Sequence, residues 1–345
     1  MSDEQPSDEQ PREEQPLEDP PQEEIKSVAG MKRAFFSFGT KTNNVMQKSL
    51  RNVQQGLETS VAKVKNMTDQ EKGPDMMAAS KEEALDMLKK LVESEKPRKQ
   101  KRSQKWNFAT VPLECFNKTL DDVFLAFIRW AKVEDSEQVN VTRAFERLTG
   151  YATWMDNTGR DMIDPHLTFE SIKEAWKAWN MKVSYDKAGH FVWWLDIANL
   201  DLQKVKLMPT EDNLRLFVWF AHFAMFDPQA QQNGCVLVEN VGKMQFWSSV
   251  TLVSPNLAFK IDRLTIGTMP VKMKQIYVCE SPQWAQVLLN IMKPFLSKTV
   301  KARIVFLQSP KVLEDILGLD CIPTEFVGTE GKLDKDIVWA TFSMD

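Results

Sequence analysis

The chain has 345 residues, 43% of them apolar, with a formal net charge of −4; this allows one large globular domain or two small ones. Its longest apolar run, "LFVWFAHFAMF" at 216–226, holds a histidine and is too short for the roughly 20 apolar residues that cross a bilayer. The acidic, polar start has no apolar core of a signal peptide, so a soluble cytoplasmic protein is expected.

The net charge hides an uneven distribution. Residues 1–24 carry ten Asp or Glu against Arg12 alone, a formal −9, which leaves +5 for the remainder. With almost no apolar side chains, this stretch cannot offset the entropy of ordering and is expected to be disordered. Residues 31–65 are different in kind, with seven Lys or Arg opposed only by Glu58. Met46, Leu50 and Val53 recur as Leu57, Val61 and Val64, each 11 positions later, which keeps one apolar stripe straight along a helix. A basic amphipathic helix of this kind lies on anionic membrane; a helix packed on the domain, or a short coiled coil, is the alternative.

Further on, "SKEEALDMLKKLVESE" (80–95) is a helix with Ser80 and Glu83 spaced as a capping box. The basic linker "KPRKQKRSQK" (96–105) lacks the interleaved aromatics that single-strand binding wants, and no nucleic-acid partner is expected. Helical spacing marks 121–132, 139–155, 169–180 and 210–226. Strands are expected at 190–195, after the turn "DKAG", and at 235–240, 275–280 and 303–307, with helices near 243–252, 255–266 and 283–293. Apolar strands joined by helices predict an α/β fold with a mainly parallel sheet. The organisation expected is an acidic tail (1–30), a basic helix (31–66), a helix and linker (67–105), a helical module (106–165) and an α/β domain (166–342).

Sites of chemistry are scarce. There is no phosphate-binding glycine loop and no nucleophile elbow. His166, His190 and His222 have no second ligand at helical or strand spacing, so no metal is expected, and His222 reads as a hydrogen-bonded core residue. Asp196, Glu239 and Glu280 each close a strand, where capping and ion pairing explain them. Cys115, Cys235, Cys279 and Cys321 form no C-x-x-C pair and read as buried reduced thiols. No catalytic residue and no cofactor are assigned, and an enzyme is not expected.

"QNGCVLVEN", "SPNLAFKIDRL", "MPVKMKQIYVCESPQWAQVLLNIMKPFLSKTVKARIVFL" and "IPTEFVGTEGKLD" together resemble the CRAL-TRIO (Sec14-like) lipid-binding family. The upstream "LDDVFLAFIRWAKVEDSEQVNVTRAFERLTGYATWM" is similar to that family's helical module. The resemblance implies an α/β lipid clamp, with an apolar pocket on the sheet and a mobile gate helix over it. Trp284, Val287, Leu288, Ile291 and Phe295 would face inward from that gate, which Pro294 ends by removing a backbone donor. Phosphatidylinositol-binding members carry a Glu and a Lys where this chain has Val271 and Arg303, and the usual strand Asp is Glu239. "VKMK" followed by Arg303 is closer to the tocopherol- and retinal-binding branch. There Lys272, Lys274 and Arg303, with Arg129 from the helical module, would form a phosphoinositide headgroup patch. What this implies is a cytoplasmic carrier of one lipophilic molecule that visits phosphoinositide-containing membrane. The rival reading is a non-transferring lipid-sensing scaffold that recruits protein partners.

Overall fold

The computed structural model describes residues 75–94, 116–155, 167–242, 268–283, 285, 298–326 and 328–333. The acidic tail, the basic helix, the linker and the helices expected near 243–252 and 255–266 lie outside these residues.

The described chain begins with β1 (Met77–Ala78) and α1 (Lys81–Ser94). The Ser80 hydroxyl accepts from the Glu83 amide at 3.2 Å, and the Glu83 carboxylate accepts from the Ala79 amide at 2.7 Å. The capping box therefore forms with its return bond one residue early. A short helix in water is marginal, and α1 gains its stability by packing: Ala84 and Leu88 are fully buried against α2 (Leu120–Ala131) and α3 (Val141–Trp154). Lys89 reaches Asp121 at 2.7 Å across the first contact. The folded unit expected to open at Trp106 thus takes in an earlier segment.

At the start of α2, the Thr119 hydroxyl accepts from the Asp122 amide while the Asp122 carboxylate accepts from the Thr119 amide at 2.8 Å. These bonds from Thr119 hold the Asp122 carboxyl below its usual range. Thr119→Ala removes half of this box and is expected to lower stability by about 1 kcal/mol. In urea titration the midpoint should fall with the slope unchanged. The strand β2 (Val139–Asn140) precedes α3 and pairs antiparallel with β1.

Next, α4 (Phe169–Trp179) ends at Asn180, whose φ of 47° is a left-handed cap that Asn tolerates. The turn sends the chain into β3 (Met181–Tyr185), an edge strand that pairs antiparallel with β4 (Phe191–Leu195). The expected "DKAG" turn joins them, with the Asp186 carboxylate accepting from the Ala188 and His190 amides. After β4 come α5 (Leu202–Leu207), α6 (Thr210–Phe226) and α7 (Pro228–Asn233). The strands β5 (Cys235–Asn240), β6 (Met273–Cys279) and β7 (Ile304–Leu307) follow, the last led by α8 (Lys298–Arg303), with α9 (Val312–Leu317) behind.

The five strands lie in the order β3-β4-β5-β6-β7, with β4 to β7 parallel. The β4–β5 connection, α5 to α7, covers one face of this sheet. On that face α6 packs down, its Phe223 ring 5.6 Å from Phe191. It also meets α4 through Trp176–Phe220 and Trp179–Phe217 edge contacts, each at 5.1 Å. The opposite face is sealed by Leu313 and Leu317 of α9 with Cys321, Ile322 and Phe326, packed on Val192, Trp194, Val236 and Val238. Cys235, Cys279 and Cys321 are buried and unbridged, as expected; Cys115 lies outside the described residues.

Candidate functional site

Two features of the α6 side of the sheet converge toward β6. The first is the sheet face. Register places Trp193, Leu237, Ile276 and Ile304 in one row, and Leu195, Glu239, Val278 and Phe306 in the next. Trp193 and Leu195, toward α6, are buried, whereas Leu237, Glu239, Val278 and Ile304 keep part of their surface open and Phe306 is 37% exposed. A parallel strand normally hides both faces. Here the described chain buries one face under α9 and leaves the β5–β7 part of the other partly uncovered. The gate residues Trp284, Val287, Leu288, Ile291 and Phe295 lie outside the described residues.

The second feature is basic. Lys272 precedes β6 and is about half-buried; its ammonium is destabilised first by burial, then by Lys274, Arg143 and Lys132, with Glu134 opposing. Desolvation and like charge both disfavour the protonated amine, so an anion placed here would relieve both. Arg143 and Arg147, one helical turn apart on α3, both stack on Trp130, each guanidinium carbon 4.2 Å from the ring centre. Arg147 also donates from Nε to the Met269 carbonyl at 3.0 Å, and Gln231 donates to the Pro270 carbonyl at 2.9 Å. The loop that presents Lys272 is thereby pinned to the helical module from one side and to α7 from the other.

Of the patch expected from the sequence, Lys272 and Lys274 stand together. Ile304 pairs with Ile276, so Arg303 comes level with Gln275 and not with Lys274; the charges that act on Lys272 are those of Lys274, Glu134, Arg143 and Lys132. Arg129 sits in the last turn of α2, where its charge acts on Asp122. Arg143 and Lys132 are additions that the structure makes, although the Arg143/Arg147 spacing of four is a visible signal for two cations on one helix face.

The other candidates resolve structurally. His222 is fully buried, its Nε2 2.7 Å from the Tyr151 hydroxyl and its Nδ1 2.7 Å from the Val218 carbonyl. The carbonyl only accepts, so Nδ1 carries the proton and Nε2 accepts from Tyr151; His222 is the core residue expected. Asp196 accepts from Asn199 and Asn240, which fits capping and pairing. Glu239 does not fit, since among the described residues it forms no hydrogen bond or ion pair, and burial pushes its carboxyl up to about 7. No group of three or more metal-ligating side chains stands together among the described residues, and no described helix is long and apolar enough to cross a membrane. A cleft of about 10 Å³, walled by Trp194, Phe326 and the Lys182–Glu325 ion pair, opens on the sealed face. It is smaller than the roughly 300–1,000 Å³ of small-molecule sites.

A helical module leading into an antiparallel hairpin and a run of parallel strands, with one sheet face partly open, defines a mixed α/β domain. Residues 179–328 match the CRAL/TRIO domain model, the stretch from the end of α4 to the loop beyond α9. The match supports the CRAL-TRIO family and, with it, a protein of the lipid-binding and transfer type. Among solved structures, the crystal structure of Sfh5 is similar with a TM-score of 0.48 and 15% identity, over 78% of this chain and 92% of that one.

Proposed function

We propose that the protein is a non-catalytic carrier that holds one small lipophilic molecule on the open face of β5–β7. It meets phosphoinositide-containing membrane through the basic edge beside that face. The observation that carries this reading is the adjacency of a partly exposed apolar floor, Leu237, Val278, Ile304 and Phe306, to a half-buried lysine crowded by other cations. An apolar surface of this kind is expensive to leave in water, and a desolvated ammonium among like charges favours an anionic partner. Lipid on the floor and phosphate at the edge answer both.

Two measurements test it. Purified full-length protein, extracted with organic solvent and analysed by mass spectrometry, should release an apolar molecule at about one per chain. A protein that carries none, and takes up none from a panel of retinoids, tocopherols, sterols and phospholipids, is a scaffold and not a carrier. For the edge, the Lys272→Ala/Lys274→Ala/Arg143→Ala variant should lose roughly 100-fold in affinity for phosphoinositide vesicles, at about 1 kcal/mol per basic residue. The wild-type affinity itself should fall with added salt. Arg303→Ala and Arg129→Ala, measured singly, report which of the remaining arginines joins the contact. Equal binding of the triple variant and wild type in vesicle co-sedimentation would reject the headgroup site.

A further inference from the structure

The carrier reading leaves one motif unused, the basic stretch 31–65. Its apolar series Met46, Leu50, Val53 returns as Leu57, Val61, Val64, and its cations obey the same spacing: Lys41 returns as Lys63 after two periods of 11, and Lys32 as Lys65 after three. Eleven residues span about three helical turns, so each series is a straight line along a helix. Lys41, Lys48, Arg51 and Lys63 fall on the side away from the apolar stripe. A single helix interrupted by Asn43, Asn44 and Gly56 is marginal in water, so it forms where a surface rewards the stripe. The place where this stretch joins the domain is fixed by hydrogen bonds. The Asp75 carboxylate accepts from Asn140 Nδ2 at 2.8 Å, and Asn140 Oδ1 caps α3 by accepting from the Arg143 amide at 2.8 Å. The Val141 amide donates to the Met76 carbonyl, and the Met76 amide to the Thr142 hydroxyl, both at 2.8 Å. The chain before Asp75 is therefore fastened beside Arg143, one of the charges that act on Lys272. Met76 and Met77, at this fastening, are 39% and 41% exposed. Residues 67–74 span at most about 28 Å when fully extended, which keeps the end of the basic stretch within that distance of Asp75.

We propose that residues 31–66 are a second membrane-binding element, an interfacial helix that reads negative surface charge rather than one headgroup, and that it engages the same bilayer as the basic edge. This rests on the membrane role given above to the basic edge and adds a contact of different chemistry. The stripe from Met46 to Val64 enters the acyl boundary while the lysines stay at headgroup level. The edge, by contrast, has cations and no comparable stripe, so it depends on phosphate. Two basic surfaces repel each other, and an anionic bilayer attracts both. Neither contact is strong alone, since each basic residue near an anionic surface adds little. The short tether at Asp75 makes the second contact intramolecular once the first has formed, at an effective concentration in the millimolar range. The pair then holds where either one alone lets go.

The experiment uses full-length protein with three kinds of vesicle: phosphatidylcholine alone, phosphatidylcholine with phosphatidylserine, and the latter with phosphoinositide added. Binding is followed by co-sedimentation, and the amides of 46–65 by hydrogen exchange. Phosphatidylserine without phosphoinositide should slow exchange across 46–65, and phosphatidylcholine alone should not. Leu50→Ser/Leu57→Ser/Val61→Ser removes the stripe without altering charge. It should abolish that protection and lower affinity for the phosphoinositide vesicles about tenfold or more, with circular dichroism confirming the fold of each variant. Lys272→Ala/Lys274→Ala/Arg143→Ala should keep the protection on phosphatidylserine and lose the part of binding that phosphoinositide adds. Protection of 46–65 that is complete before vesicles are added, or that vesicles do not increase, overturns the membrane element and leaves the basic edge standing. A stripe variant that binds every vesicle as wild type does overturns it as well. Protection on phosphatidylserine together with an edge variant that binds phosphoinositide vesicles as wild type does overturns the shared engagement, and with it the headgroup reading.

Discussion

Acidification from pH 7 to pH 4 is expected to cost the protein roughly 3 kcal/mol through one side chain, His222. Full burial pushes its imidazole from 6.5 down to about 4, with the bond to the Val218 carbonyl opposing only in part. The folded-state value lies below the unfolded one, so between the two the unfolded chain holds the extra proton. Stability is therefore fully present above about 6.5, declines as the pH falls, and stops declining below about 4. Each tenfold change in proton affinity is about 1.4 kcal/mol, which sets the size. Glu239 has the opposite sign: its carboxyl is raised from 4.5 to about 7, so its part of the stability grows as the pH falls across that range. The measurement that isolates His222 compares wild type with the double variant Tyr151→Phe/His222→Leu, in which Glu239 and every other group that titrates between pH 4 and pH 7 remain. The wild type should lose roughly 3 kcal/mol more than the variant between pH 7 and pH 4, in urea titrations at fixed temperature. His222→Leu alone should be the poorer protein at pH 7, by about 1–3 kcal/mol, because the buried Tyr151 hydroxyl then has no acceptor. Parallel pH profiles for wild type and double variant would show that His222 does not titrate between folded and unfolded states.

The parts of the fold that are legible in the sequence are those whose pattern has a single physical solution. β4 to β7 read as strands because they are short apolar runs bounded by turns, and α6 reads as a helix because its 17 residues are too long and too apolar for a strand. β3 escapes because "MKVSY" is an edge strand with Lys182 and Ser184 in its pattern, and its identity comes from pairing with β4 after the Asp186 turn. α1 is legible as a helix, but its burial against α2 and α3 is not, since an amphipathic stripe does not name its partner. The same limit applies to the site. Lys272 and Lys274 alternate along one strand and stand out together, whereas Arg143 joins them only through the placement of α3, where it and Arg147 share Trp130. Glu239 reads as a paired carboxylate because an acidic residue at a strand end usually finds a donor; here its neighbours across the sheet are Leu195 and Val278.

One substitution, Gly→Ala, is expected to act in opposite directions at two positions. Gly234 joins α7 to β5 with φ 93° and ψ −174°, a region essentially reserved for glycine and worth about 1–3 kcal/mol against any other residue. A Cβ there would sit 2.7 Å from the Lys272 carbonyl oxygen and 2.8 Å from Lys274 Cγ. The carbonyl cannot retreat freely, because it accepts from the Cys235 amide at 2.8 Å. Gly234→Ala should therefore lower stability by roughly 2–4 kcal/mol once strain and overpacking are combined. The atoms displaced belong to Lys272 and Lys274, so phosphoinositide-vesicle binding should weaken even where the variant remains folded. Gly150 is the contrasting case. It lies inside α3, and a Cβ added there would meet no atom within 4 Å. A helix-interior glycine is worse than alanine by about 1 kcal/mol. Gly150→Ala should raise the urea midpoint by the equivalent of about 1 kcal/mol and leave vesicle binding untouched. A Gly234→Ala protein with wild-type stability and binding would mean that the link between α7 and β5 yields without strain, and that the loop carrying Lys272 is not fixed by the close approach of Gly234.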